Sequence, residues 1–214
     1  MGAMKYKTGY KNIVFDCDST LTKIEGLDEI ARRKGLLDRV REITAAGMNG
    51  DLLFSQSLRN RLEIIQPSLE DLKWLGQRYV EELVSDATVV IDELKIRGLN
   101  IFILTGALLP AVEVLADYLK IDRANVSAVG FRGVTPFQRI IPINLDTFKV
   151  NFVQQIKKTG STVLVGDGLV DYEAGKSVDL FIGFGGVVRR ERLKELSSIY
   201  VEEPRLQPIL DIVL

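Results

Sequence analysis

The sequence predicts an α/β fold: a parallel sheet with helices on both faces, interrupted once by a helical insertion. Three observations predict it. Short apolar, β-branched runs recur along the chain, as buried strands do. Between them lie stretches with apolar residues three and four apart, as helices require. After the first run, about sixty residues keep the helical spacing with no strand among them. Strands that alternate with helices imply a parallel sheet covered on both sides.

The elements follow in order. Asn12–Phe15 reads as the first strand. In the insertion, Leu27, Ile30 and Ala31 begin a helix, Leu37, Val40 and Ile43 mark a second, and Phe54, Leu58, Leu62 and Ile65 a third. Pro67 interrupts, and Ser68 with Asp71 has the form of a capping box that opens a fourth. Thr22 and Glu25 share that form, so a cap role is the alternative reading of Glu25. Val89, Val90, Leu94 and Ile96 predict the next helix and Asn100–Leu104 the next strand. Val112, Leu115 and Leu119 predict another helix, and so do Phe148, Phe152 and Ile156, with Asp146 as N-cap. Strands at Thr162–Val165, Leu180–Ile182 and, more weakly, Ile199–Val201 complete the sheet. The expected division is a core of residues 1–24 and 85–214 and a helical cap of residues 25–84, joined by short links at 22–25 and 84–87.

Composition narrows the function. With 214 residues and a formal charge of −1, nothing draws the chain to nucleic acid or to anionic lipid. No apolar run approaches the roughly 18 residues of a membrane span. The opening residues are polar and basic, with no apolar stretch of a signal peptide. The single Cys17 allows no internal disulfide, and a cytoplasmic setting is expected. A monomer or homodimer is expected. The chain has no histidine, which removes Ser–His–Asp and Cys–His catalysis and histidine-bound zinc. Acid–base work falls to Asp, Glu, Lys or Tyr. A metal would be held by oxygens, which favours Mg²⁺.

Ligands of an open parallel sheet bind at the carboxyl ends of its strands. The first strand runs into Asp16-Cys17-Asp18-Ser19-Thr20, the second into Thr105-Gly106, and the strand at 162–165 into Gly166-Asp167-Gly168, with Asp171 one helical turn on. Lys149 opens the preceding helix. Three carboxylates in one crevice repel; at 4 Å a pair costs roughly 4 kcal/mol at an effective dielectric of 20. A bound Mg²⁺ and Lys149 would relieve this, and together they suit a phosphoryl group. Backbone N–H groups of the glycine-flanked loops add donors. In the third helix of the insertion, 100° per residue places Arg61 beside the inward face of Leu58 and Ile65 and turns Arg59 toward solvent.

Taken in order, "FDCDST", "LTG", Lys149 and "VGDGLVDYEA" resemble the four motifs of the haloacid-dehalogenase-like phosphatases. "EGLDEIARRKG", "FSQSLRNRLEIIQPS" and "DLFIGFGGVVRRERLKE" are similar to phosphoserine phosphatases within that superfamily, and the likeness covers nearly the whole chain. The resemblance implies a Rossmann-like core and a C1-type helical cap. It implies Asp16 as nucleophile and Asp18 as general acid and then base. It implies Mg²⁺ held by Asp16, the backbone carbonyl of Asp18, and Asp167, with Asp171 ordering the ion's water shell. Thr105, Gly106 and Lys149 would hold the phosphoryl oxygens. Glu25 and Arg61 would grip the amino and carboxylate groups of a small phosphorylated metabolite, phosphoserine first, with Met48 and Phe54 closing over it.

The chain departs from that pattern in places. The second motif usually reads Ser-Gly-Gly-Phe, and here it is "TGAL", with Ala107 and Leu108 in the last two positions. Val170 stands where an Asn or Thr is usual, and "GFRGVTPFQRIIPINLDTF" is unlike the usual lead-in to the lysine. These bear on the substrate more than on the chemistry. Two other classes fit part of the pattern. A receiver-like module also uses an acidic crevice with Thr and Lys, but needs neither the insertion nor Asp18. A catalytically dead binding protein would not need Asp16, Asp18, Lys149 and Asp167 all intact.

Overall fold

The structure, a computed structural model, describes residues 9–131, 140–141 and 145–214. Among these residues seven strands form one sheet: β1 (Asn12–Phe15), β2 (Asn100–Leu108), β3 (Val126–Phe131), β4 (Ile140–Ile141), β5 (Thr162–Gly166), β6 (Leu180–Phe184) and β7 (Tyr200–Val201). Their order is β4-β3-β2-β1-β5-β6-β7. All neighbours are parallel except β3 and β4. Chain order runs outward from β1 in both directions, so the switch point lies between β1 and β5, where such sheets open a crevice.

The two faces are set by alternation along the strands. Ile13, Phe15, Ile103, Val163 and Val165 enter one apolar cluster. Val14, Phe102, Leu104 and Leu164 enter the other. The first face is covered by α5 (Ala87–Ile96), α6 (Leu109–Tyr118) and α10 (Gln207–Val213). The second is covered by α7 (Phe148–Lys157) and α8 (Leu169–Gly175). A short α9 (Glu191–Leu196) precedes β7. Fully burying an aromatic such as Phe15 or Phe184 stabilises by about 1.5–3 kcal/mol.

Between β1 and β2 come α1 (Gly26–Arg33), α2 (Leu37–Asn49), α3 (Phe54–Ile65) and α4 (Leu69–Glu81). The Ser68–Asp71 capping box forms: Ser68 N–H donates to Asp71 at 2.8 Å, and Asp71 N–H donates to Ser68 Oγ at 3.1 Å. The chain leaves and re-enters the sheet side by side. Thr22 and Leu83 form an antiparallel bridge. Lys23 N–H donates to Glu82 O at 2.7 Å and Val84 N–H to Leu21 O at 3.0 Å. No helix among the described residues is long and apolar enough to cross a membrane.

Four details differ from the sequence expectation. β2 continues through Thr105 and Gly106 to Leu108, because Leu108 pairs with Val129 of the unanticipated strand β3. The two-residue β4 was also unanticipated; most of the atypical segment 130–148 around it lies outside the described residues. In α5, Val90, Ile91 and Leu94 are buried, whereas Val89 and Ile96 are 69% and 77% exposed. The buried stripe follows Ala87, Val90, Ile91 and Leu94, which share one face at helical spacing, and Val89 and Ile96 fall outside it. Finally, Thr147, not Asp146, stands at the N-cap of α7. The Asp146 carboxylate instead accepts Ser55 N–H at 2.8 Å and Ser55 Oγ–H at 2.7 Å, satisfying the free first turn of α3.

Candidate active site

Asp16 follows β1 directly and is held there by its own backbone, whose N–H donates to Val165 O of β5 at 2.9 Å. The chain then makes one tight turn, Cys17–Leu21, in which Ser19 adopts a left-handed φ of 53°. That conformation is costly for a residue other than glycine. It aims Ser19 Oγ at Glu25, to which it donates at 2.7 Å. Glu25 is therefore no partner of Thr22 in a capping box. It occupies the N-cap of α1 without a side-chain cap bond, and Thr22 Oγ donates to Cys17 O.

One cavity lies over the ends of β1, β2 and β5 and beneath the inserted helices. Asp16, Asp18, Asp167 and Asp171 line its floor with Lys149, and Thr105 and Gly106 line its side. Glu25, Met48, Phe54 and Arg61 line it from the insertion. Arg61 is 6% exposed, with Nε donating to Ser57 O at 3.4 Å, while Arg59 points to solvent. Phe54 presses on Gly106, where any Cβ would meet its ring at 2.6 Å. The motif departures divide: Ala107 and Val170 line the cavity, whereas Leu108 is buried in the core.

Lys149 lies 3.1 Å from Asp16 Oδ1 and 2.6 Å from Asp171 Oδ1, all three buried. Burial opposes its charge, but the two carboxylates outweigh burial and hold its pKa above the ordinary lysine value. Asp16 Oδ1 also accepts Cys17 N–H at 2.8 Å, and Asp171 Oδ2 accepts Gly168 N–H at 3.1 Å. Burial pushes Asp171 up to about 7, with the Asp16 charge adding to it. It pushes Asp167 up to about 7 against the pull of Arg190. It pushes Asp18 up to about 7 and Glu25 up to about 8, each raised further by acidic neighbours. Burial and the flanking aspartates also raise the Cys17 thiol, so it is a small core residue and no nucleophile.

Asp16, Asp167 and Asp171 each offer an oxygen within 4.8 Å of the others. An all-oxygen, buried, acidic set of this kind fits a small hard cation. Asp171 enters this cluster; the Asp18 carboxylate does not, and the sequence assigned a metal contact only to its backbone carbonyl.

The sequence profile of the haloacid dehalogenase-like hydrolases matches residues 10–179, most of the chain. The chain belongs to the haloacid dehalogenase-like hydrolases. Curated relatives that it matches at 31–33% identity are phosphatases. It is similar to the phosphoserine phosphatase of Bos taurus, at 33% identity over 89% of this chain and 88% of that one. A structure of a phospho-aspartyl intermediate analogue of phosphoserine phosphatase superposes with a TM-score of 0.82 at 30% identity, covering 97% of this chain and all of the other. A phosphoserine phosphohydrolase-like protein from Francisella tularensis superposes with a TM-score of 0.84 at 28% identity, covering 95% and 100%. Two charged contacts of this hydrolase were not singled out in its sequence. Arg190 reaches Asp167 Oδ2 at 2.8 Å and lies 3.7 Å from Glu25, tying the floor to the base of α1. Ser19 orients Glu25. For Arg190 the signal is an Arg-Arg pair two valines after a glycine-rich strand end; for Ser19 it is the polar residue next to Asp18.

Proposed function

We propose that this hydrolase is a Mg²⁺-dependent phosphomonoesterase that works through an aspartyl-phosphate, and that its substrate is O-phosphoserine. The observation that carries the proposal is the cavity itself. On its floor a carboxylate is steered by a lysine, and across it stand one acidic and one basic side chain from the insertion, Glu25 and Arg61. Residues 25–84 act in this reading as a cap over a core of residues 1–24 and 85–214.

Asp16 has both described contacts on Oδ1. That leaves Oδ2 to attack phosphorus. As the Asp16–phosphorus bond forms, the bond from phosphorus to the serine oxygen breaks, and Asp18 gives its proton to that oxygen. Asp18 then takes a proton from water, which attacks the aspartyl-phosphate and releases inorganic phosphate. Lys149, Thr105 and the Gly106 N–H hold the phosphoryl oxygens. Asp16, the Asp18 carbonyl and Asp167 would hold Mg²⁺ with Asp171 beside them, and the bound ion supplies positive charge where the phosphoryl oxygens gain negative charge. Glu25 binds the substrate ammonium, and Arg61 binds its carboxylate through paired N–H donors.

The test is substrate choice. Phosphoethanolamine lacks the carboxylate and should lose roughly ten- to a hundredfold in kcat/KM, since a buried arginine without its partner costs on the order of 1–3 kcal/mol. Arg61→Ala should erase that preference and spare p-nitrophenyl phosphate. Equal kcat/KM for the two phosphomonoesters would remove phosphoserine and favour another small phosphorylated metabolite. Ala107 and Val170 in the cavity wall are the residues that support that second reading.

A further inference from the structure

Asp18 has a side that does not face the cavity. Its Oδ1 is sealed from solvent and has no hydrogen-bond partner among the described residues. The hydroxyl of Tyr79, on α4, is in the same condition: the residue is 0% exposed and its oxygen is unpartnered. A buried donor and a buried acceptor left unmade each cost free energy, so two such orphans in contact are a pair in waiting. Gly26, the first residue of α1, brings the two together. A Cβ there would lie 2.0 Å from Tyr79 Oη, so the hydroxyl sits directly against the Gly26 backbone. The same Gly26 backbone lies close enough to the Asp18 carboxylate to favour its charged form. Tyr79 and Asp18 are also direct neighbours, each acting on the other through its side chain.

We propose that Tyr79 is a positioning residue for the acid–base step, its buried hydroxyl donating to the inward oxygen of Asp18 so that the other oxygen is held toward the leaving group. This rests on Asp18 being the general acid. The task needs such a brace. Asp18 stands on a turn, in a stretch with non-helical backbone angles. The Gly26 backbone and this hydroxyl are the neighbours placed to donate to its side chain. Tyr79 reaches it from the inserted helix least free to shift, since α4 packs along α6 of the core. The acid is thus aligned from the insertion, whose other helices line the cavity, and not by the sheet.

The experiment compares leaving groups. In kcat/KM, which reports the steps up to formation of the aspartyl-phosphate, the serine oxygen of phosphoserine needs a proton to leave, and p-nitrophenolate scarcely does. Tyr79→Phe keeps the ring and the packing. It should lower kcat/KM for phosphoserine roughly tenfold or more, through kcat with KM held, and change p-nitrophenyl phosphate by less than about threefold. Asp18→Asn supplies the control and should show the same selectivity more strongly. In the Asp18→Asn background, Tyr79→Phe should add nothing, because the residues act as one unit. Equal losses on both substrates in Tyr79→Phe, or a further loss in the double variant, would overturn the positioning role. If Asp18→Asn itself shows no leaving-group selectivity, the assignment of Asp18 as acid fails, and the proposal fails with it for that separate reason.

Discussion

A lysine that touches two carboxylates holds both in place only while it stays charged, and Lys149 meets that condition because Asp16 and Asp171 outweigh the cost of burying it. The pair differ in what they present. Asp171 has both oxygens engaged, by Lys149 and by the Gly168 N–H, so it is fixed as a wall. Asp16 has one oxygen engaged and one to offer. Asp16→Asn removes the proposed nucleophile and also one negative charge from a crowded site. Turnover of p-nitrophenyl phosphate should vanish, while the melting temperature in metal-free buffer holds or rises. Substantial activity in the purified variant would count against covalent catalysis. At this scale the sequence was readable where a residue contradicts its surroundings. Asp16 and Asp18 end an apolar run, and Asp167 sits between glycines. Arg61 could be told from Arg59 by helical angle alone. Tyr79 could not be read in this way, because a tyrosine on the apolar face of a helix looks like core until the fold brings Asp18 against it.

The inserted helices are fastened to the catalytic sheet at one rim of the cavity by a small contact set. Ser55 at the start of α3 makes two bonds to Asp146, ahead of α7, and the Phe54 and Phe148 rings lie 5.8 Å apart beside them. Those hydrogen bonds are solvent-exposed and join the insertion to the core at the rim of the cavity. Asp146→Ala should raise KM for phosphoserine about three- to tenfold, with a smaller effect on kcat and little on the melting temperature, given about 0.5–1.5 kcal/mol per bond. Steady-state kinetics beside a thermal melt checks it; an unchanged KM would show that the contact does no closing. Gly106 belongs to the same rim, since a side chain there would drive Phe54 outward. The elements were legible where periodicity is long and clean, as in α3 and α7. They were less so where pairing decides. β3 exists because β2 offers it an edge from Ile103 to Leu108, and Asp146 caps a helix ninety-one residues away in sequence, where short-range rules gave it to its own.

Over the whole molecule the cavity concentrates acid. Asp18, Asp167 and Asp171 have pKa values raised to about 7 and Glu25 to about 8, all above the ordinary carboxylate range. The folded state therefore binds protons that the unfolded chain has released. This stability is fully present below the unfolded carboxylate values near 4 and is lost as pH rises through 7 to 8. Metal-free protein should melt progressively lower between pH 6 and 8.5, and Mg²⁺ should restore much of the difference at the upper end. A melting temperature independent of pH in EDTA would contradict this. Activity should disappear with the chelator, and excess Ca²⁺ should inhibit, since a larger ion with more ligands disturbs the in-line arrangement. One feature of the fold bears on how such an enzyme changes over generations. The insertion begins and ends at neighbouring points, closed by the Thr22–Leu83 bridge. The register of β1 on β2 is thus indifferent to how many residues lie between them. On the proposed reading, α2 and α3 can lengthen, shorten or be rewritten and bring new substrate preferences without moving Asp16 on β1, while α4, which carries Tyr79, is the part of the insertion that the chemistry keeps.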